Sequence, residues 1–351
     1  MKILVIQQKM IGDVLTSSIL FEALKTTYPE SELHYVINAH TFPAVENNPF
    51  IDEFKLITPE MEKDKREFYK FLKSIKKEKY DAVIDVYSKL SSNLITKFSG
   101  AKIKISKYKH YTAPIYTHTF KEAKIANTNA GLAVENRLQL LEPLKVPYKL
   151  RKPKIYLTED EIEAARQLLI SAHMDLKKPI FMIGVLGSEE NKTYPLPHMA
   201  DLIDAIVEQT NGQILFNYIP AQATEAKIIY NFCKKETKKH IHFDVFGKSL
   251  REFFATMHHC TALIANEGGA TNMAKALDKP TFTIFSPWII KEAWNMFDDD
   301  RKNVSVHLKD FKPDLYEGKS LKAVKNEVFS LYNAFPPKYI IPRLTEYLKQ
   351  F

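Results

Sequence analysis

Short apolar runs alternate with longer amphipathic stretches along nearly the whole chain. Residues 2–7 form a strand-sized apolar run, and 11–28 follow with Leu15, Ile19, Leu20 and Leu24 spaced to share one face of a helix. The alternation continues through strand-like segments at 32–37, 54–57, 81–86 and 103–105, with helical periods at 62–79 and 90–98. Strands buried on both faces read as continuous apolar runs, so the pattern predicts a parallel sheet wrapped by helices.

A helical stretch near 134–144 leads into a basic, proline-bearing segment, 146–153, whose composition suits a linker. The pattern then restarts. Helices at 159–173, 196–208, 224–235, 249–258 and 268–277 alternate with strands at 180–185, 213–218, 240–243, 262–265 and 281–285. A chain of 351 residues also exceeds what one hydrophobic core usually supports. The expectation is an α/β protein of two Rossmann-like doubly wound domains facing a central cleft, 1–150 and 151–335. A C-terminal helix within 336–351 is expected to pack back on the first domain. In such sheets ligands bind at the carboxyl ends of the strands.

Composition narrows the class without naming a function. The 45% hydrophobic and 26% charged residues are those of an ordinary globular protein. The longest apolar runs, such as 280–285, fall far short of the roughly 20 residues that cross a bilayer. The first run is too short for a signal peptide and has no small-residue cleavage site after it, so a cytoplasmic protein is expected. Two cysteines, Cys233 and Cys260, cannot build a disulfide framework or a four-cysteine zinc site. A net charge of +8 suits nucleic acid, an anionic membrane surface or phosphorylated substrates, and does not choose among them.

Three segments carry chemistry beyond what the fold needs. In Gln7-Gln8-Lys9-Met10-Ile11-Gly12-Asp13-Val14 a strand gives way to a loop, where Gly12 lets the backbone approach a ligand and Asp13 lies at the mouth of the next helix. A carboxylate there either takes the proton of an attacking hydroxyl or caps the helix. In the second, Gly187 and Ser188 form a small-residue turn ahead of Lys192, Thr193, Tyr194 and Pro195. Backbone N–H groups and an ammonium together make an anion site, with a solvated, charged loop as the competing reading. The segment is not a Walker loop, because the second glycine is absent. The third segment, 265–280, runs a strand through Glu267, Gly268 and Gly269 into a helix of small residues. The free N–H groups and positive dipole end of that helix suit a pyrophosphate, and Glu267 and Asn272 are placed to hold sugar hydroxyls. Close packing around Ala270, Ala274 and Ala276 accounts for the small residues equally well.

In this order and at this spacing the three segments resemble glycosyltransferase family 9, the ADP-heptose:lipopolysaccharide heptosyltransferase family. The likeness rests on Ile11-Gly12-Asp13-Val14 after the first strand, on Lys192 followed by Tyr194-Pro195, and on the turn and helix from Asn266 to Pro280. It covers nearly the whole chain. The resemblance implies a GT-B-type fold and a metal-independent, cofactor-free inverting transfer of heptose or a related sugar. The donor would be a nucleotide-diphospho-sugar such as ADP-heptose. The acceptor would be a lipopolysaccharide core or another envelope glycan or glycolipid. On the same likeness Asp13 is the general base and Lys192, with Ser188 in its loop, binds the donor phosphates. Gly268 and Gly269 present backbone amides to the donor, and Gln222, where the family often has an acidic residue, bonds the nucleotide ribose. Lys9, Lys104 and Lys107 are candidate acceptor contacts in the first domain. Glu267 stands for the usual Asp, Asn272 for the usual His, and Gln7 for a common basic residue, so the sugar contacts differ in detail from the family's.

Two other readings compete: a sugar-nucleotide epimerase of the same shape, and a non-catalytic nucleotide or nucleic-acid binding protein. Nucleic acid is not expected as a partner, since the basic residues are dispersed and no helix-turn-helix, zinc or RNA-binding signature occurs. Lys70, Lys73, Lys76 and Lys77 on one helical stretch suit transient contact with the inner membrane face. The segment 102–111 interleaves lysines with aromatics, as an edge strand guarded by charge or as a contact for an anionic glycolipid. No metal site is expected. His258, His259 and Cys260 are consecutive on a helix and point apart, and Asp298, Asp299 and Asp300 are expected in a solvated loop past the last core strand.

Overall fold

The computed structural model describes all 351 residues, and the chain folds as two compact units. One comprises Met1–Tyr156 with Glu292–Met296, the other Leu157–Lys291 with Phe297–Phe351.

The first unit is built on six parallel strands: β1 (Lys2–Ile6), β2 (Glu32–Asn38), β3 (Glu53–Ile57), β4 (Ala82–Asp85), β5 (Ile103–Lys107) and β6 (His118–Phe120), in the order β3-β2-β1-β4-β5-β6. Ile3, Leu4, Val5 and Ile6 of β1 are wholly buried, as a central strand covered on both faces must be. One of those faces is sealed by the helix Lys65–Lys77. It buries Phe71, Leu72 and Ile75 against Leu4, Ile6, Val36 and Val83, and it starts where Asp64 accepts a hydrogen bond from the Arg66 amide at 2.7 Å.

The second unit repeats the plan with β7 (Ile180–Gly184), β8 (Gln213–Asn217), β9 (Ile241–His242), β10 (Ala262–Asn266), β11 (Thr281–Ile284) and β12 (Asn303–Val306). All are parallel, in the order β12-β11-β10-β7-β8-β9. Each sheet therefore grows outward from its first strand in one direction, then restarts on the other side. The topological switch point falls between β1 and β4 in the first unit and between β7 and β10 in the second. The β7–β10 pairing is close enough that a Cβ on Gly184 would lie 2.6 Å from the Ala265 Cβ.

Several elements differ from the sequence expectation, each for a physical reason. The stretch 11–28 is two helices, Ile11–Ser17 and Ile19–Thr27, broken at Ser18, whose hydroxyl donates to the Leu15 carbonyl at 2.7 Å. The segment around 146–153 stays with the first unit, because Arg151 and Lys154 both pair with Glu22, at 3.0 and 3.2 Å, and the division falls after Tyr156. β5 is not an edge strand, since β6 pairs on its outer side. The acidic run 298–300 precedes the last strand, β12, rather than following it. The C-terminal helix, Pro337–Leu348, belongs to the second unit. Ile340, Leu344, Tyr347 and Leu348 form a stripe buried in the second unit's core, and the helix lies along Leu196–Thr210. No helix is long and apolar enough to cross a membrane.

Candidate active site

At the first switch point β1 ends in Ile6 and the chain turns through Met10, whose φ of 59° is in the left-handed region, into the helix Ile11–Ser17. No side chain caps this helix, so Asp13 is not its cap. The carboxylate is held instead by Arg137, whose Nη2 donates to Asp13 Oδ1 at 2.7 Å. The guanidinium is fixed in turn, its Nε donating to Ser17 Oγ at 2.8 Å and its Nη1 to the Ala133 carbonyl at 2.7 Å. The Arg137 side chain is 11% exposed and that of Asp13 40%, so a nearly buried arginine steers a carboxylate that still reaches solvent. Space above the preceding residue is open, since a Cβ on Gly12 would meet nothing within 4 Å.

Among the candidate acceptor contacts, Lys9 pairs with Glu62 at 2.5 Å and Lys107 with Glu122 at 3.4 Å. Lys104 lies mid-strand in β5, its amide donating to Thr117 Oγ1 at 2.9 Å. The adjoining strand β4 ends in a buried carboxyl, Asp85, which accepts from the Ser88 amide at 2.7 Å and from the Tyr116 hydroxyl at 2.6 Å. Burial pushes the Asp85 pKa up, and these hydrogen bonds oppose the shift.

At the second switch point the ends of β7 and β10 are stitched together by one side chain. Asn266 Oδ1 accepts from the Tyr194 amide at 2.8 Å, and its Nδ2 donates to the Gly184 carbonyl at 3.0 Å. The loop after β7 folds tightly on itself. A Cβ on Gly187 would lie 2.3 Å from the Lys192 carbonyl oxygen, and the Gly187 amide donates to Thr193 Oγ1 at 3.0 Å. This presents Lys192 Nζ 3.7 Å from Glu267 Oε1, a distance for an ion pair but not for a hydrogen bond. The indole of Trp288 lies under the same ammonium, 5.8 Å from Nζ to ring centre.

Glu267 is unusual for a charged residue. Its side chain is 10% exposed, burial pushes its pKa up, and Lys192 pulls the other way. Its Oε1, with Asn191 Oδ1 and Thr271 Oγ1, is buried without a hydrogen-bond partner. Such atoms are costly, about 1–3 kcal/mol each, and they gather at sites kept for function. Gly268, with φ 151°, makes the turn into the helix Gly269–Ala276, which begins with no side-chain cap and so leaves its first N–H groups available.

The structure thus gathers Lys192, Glu267, Gly268 and Gly269 at one switch point, with Asn272 on the helix that starts there. Gln222 is committed to the loop, its Nε2 donating to the Gly187 carbonyl at 2.8 Å, and Ser188 is exposed beyond it. Sequence reasoning missed Arg137, which lies 124 residues from its partner, and the stitching role of Asn266, which spans 72 and 82 residues. No local signal marks either.

His34, Glu53 and Glu78 come within 4.8 Å of one another, but Lys2 and Lys55 sit on Glu78 at 2.5 and 2.6 Å, so the group is a salt-bridge network. The acidic run is spent locally. Asp299 Oδ1 accepts from the Arg301 and Asn303 amides at 3.1 and 2.8 Å, and Asp300 pairs with Arg343 at 2.6 Å.

A family model described as glycosyltransferase family 9 (heptosyltransferase) matches residues 68–324. The lipopolysaccharide heptosyltransferase 1 of Campylobacter coli is 24% identical over 295 residues, covering 81% of this chain and 84% of that protein. Two solved structures share the fold. A glycosyl transferase family 9 protein from Veillonella parvula superposes with a TM-score of 0.77 at 18% identity, covering 95% of this chain and 96% of that one. The E. coli ADP-heptose lipopolysaccharide heptosyltransferase II gives a TM-score of 0.69 at 18% identity, covering 95% and 99%. The two six-stranded sheets are those of the GT-B fold.

Proposed function

The chain belongs to glycosyltransferase family 9, the heptosyltransferase family, and from that premise we propose that it transfers heptose or a related sugar from a nucleotide-diphospho-sugar to an envelope glycan such as a lipopolysaccharide core. The first unit is the acceptor side and the second the donor side. The observation that carries this reading is the furnishing of the second switch point. A lysine, a glycine turn and an uncapped helix N-terminus meet there, beside a buried carboxylate. Positive charge so placed stabilises the diphosphate that departs as the glycosidic bond breaks. Family kinship with proteins named for ADP-heptose favours that donor, while Glu267 in place of Asp argues for altered contacts to the sugar.

In this scheme Asp13, steered by Arg137, takes the proton of the acceptor hydroxyl. The acceptor oxygen forms its bond to the anomeric carbon from the face opposite the diphosphate, and the electron pair of the breaking C–O bond leaves with the phosphate. That geometry inverts the anomeric configuration. Lys192 and the amides that begin Gly269–Ala276 receive the leaving charge, and the scheme calls on no metal or cofactor. The exposed Lys76 and Lys77, with Lys73 stacked 4.6 Å from the Tyr69 ring centre, suit a salt-sensitive contact with an anionic membrane carrying the acceptor.

Steady-state transfer by Asp13→Ala tests the reading. Turnover is expected to fall about 10²–10⁴-fold with the affinity for ADP unchanged, the usual span for a lost general base. Turnover within a few-fold of the parent, or epimerisation of the donor with no acceptor present, would refute it.

A further inference from the structure

The arginine that aims Asp13 is carried by a very short helix, Leu132–Leu138, of seven residues. A helix of that length gains little from its own hydrogen bonds, so its neighbours must hold it. It lies against Ile11–Ser17, the helix of Asp13, and buries Val134 and Leu138. No side chain caps its start, where Gly131 stands with a φ of 82°.

Glu135 supplies the missing anchorage from within the helix. Its side chain reaches back to the loop ahead of Gly131. There Oε1 accepts from the Thr128 amide at 2.7 Å and the Thr128 hydroxyl at 2.6 Å, and Oε2 accepts from the Asn127 amide at 2.9 Å. Glu135 is 5% exposed, and burial alone would raise its pKa. The hydrogen bonds from Asn127 and Thr128 outweigh burial and bring the pKa below the ordinary value, so the clamp is a charged carboxylate.

The helix start is also closed from another direction. A Cβ on Gly131 would lie 2.9 Å from the Asn295 carbonyl oxygen, in the segment Glu292–Met296 that joins the first unit from later in the chain. Met296 Sδ accepts in turn from Thr16 Oγ1 at 3.9 Å, three residues on from Asp13.

What this anchorage resists is rotation of the helix about its axis. Residues two apart on an α-helix point about 200° from one another. Glu135 and Arg137 therefore work on opposite sides, one gripping the loop and the other Asp13. A turn of about 10° would sweep a group at the roughly 6 Å radius of the side chains through about 1 Å. Misplacement on that scale can cost about 10²-fold in rate.

We infer that Glu135 is a positioning residue for transfer: by clamping Asn127 and Thr128 it fixes the rotation of Leu132–Leu138 that brings Arg137 to Asp13. The inference rests on Asp13 being the general base, as proposed above.

A double-mutant cycle on steady-state transfer tests it, with urea midpoints read alongside. Glu135→Gln places an NH2 group where an oxygen must accept, and is expected to lower kcat about tenfold or more with donor KM within about twofold. Glu135→Asp keeps the charge and should recover part of the loss. In an Arg137→Ala background, Glu135→Gln should cost less than about twofold further, because the group it aims is gone. Thr128→Ala removes only the hydroxyl's bond to Glu135 and should repeat the pattern at a few-fold, which keeps the test decisive if Glu135→Gln does not fold. An unchanged kcat in both Glu135→Gln and Thr128→Ala, or losses that multiply with that of Arg137→Ala, overturns the proposal. Asp13→Ala, measured in parallel, separates the two readings. Turnover near that of the parent sinks the general-base assignment, whereas its collapse together with multiplying losses sinks the positioning role alone.

Discussion

Between β1 and β4 the charges stay within reach of water apart from the buried Asp85, which is satisfied by the Ser88 amide and the Tyr116 hydroxyl: Asp13 is 40% exposed beside its arginine, and Lys89 and Lys109 have no carboxylate partner. Between β7 and β10, in a sheet of the same strand order, a carboxylate is 10% exposed and its lysine 25%, inside a loop pinned by Asn266. The shared strand order sets where ligands can approach. The anchoring of the loops sets what chemistry meets them. A rigid, drier site is preorganised for one constant group, as a nucleotide diphosphate would be, because its charges need no rearrangement when the bond breaks. A wetter site with free cations tolerates variety, which suits an acceptor.

The largest effect that can break this contrast is on Lys192. Lys192→Ala removes the only cation paired with the buried Glu267, so donor binding and catalysis should fall together, with kcat/KM for donor down about 10²–10³-fold. Asp13→Ala should spare donor affinity. Kinetics showing Lys192→Ala with normal donor affinity would mean that the second switch point is not a phosphate site, and the contrast would lose its functional meaning.

Next in size is a loss of stability. Asn266→Ala leaves the Tyr194 amide and the Gly184 carbonyl buried without their partner, at a cost of about 2–4 kcal/mol. The matching cut in the first unit, Arg137→Ala, breaks a pair whose acid is already solvated and should cost about 1 kcal/mol. Urea midpoints measure both. Equal losses would show that the two sites are anchored alike.

Much of this was legible in the sequence, and what was not has a physical explanation. The central strands announce themselves because burial on both faces demands unbroken apolar runs, as in Ile3-Leu4-Val5-Ile6 and Ala262-Leu263-Ile264-Ala265. β6 and β12 escaped notice since they are short outer strands, and His118-Thr119-Phe120 and Asn303-Val304-Ser305-Val306 carry too few apolar residues to stand out. The break at Ser18 was invisible because the apolar spacing continues across it. At the site, glycines and charged residues after a strand could be read from order alone. The partners that aim them, Arg137 and Asn266, act through contacts far apart in sequence, which only folding supplies. The C-terminal helix displayed its apolar stripe plainly, but a stripe does not say which of two sheets it will cover.

The smallest effect distinguishes two carboxyls, one in each unit, by the sign of their response to acid. Glu78 is gripped by Lys2 at 2.5 Å and Lys55 at 2.6 Å, and those hydrogen bonds, that of Lys2 first, bring its pKa down to about 2 from an ordinary 4.5. A carboxyl whose folded value is depressed stabilises the fold above its unfolded pKa and loses that contribution as pH falls toward the folded value. Glu78→Gln should therefore cost on the order of 1 kcal/mol at neutral pH, a figure reduced for solvent screening, and almost nothing near pH 2. Glu267 is shifted upward by burial, so its charged form is penalised in the folded protein at neutral pH and the penalty vanishes below its unfolded value. Glu267→Gln should accordingly raise the urea midpoint at pH 7 and leave it unchanged at pH 4 or below. If both variants shift the midpoint in the same direction at pH 7, Glu267 is better satisfied than its burial indicates, and the second site is not storing the electrostatic cost assigned to it.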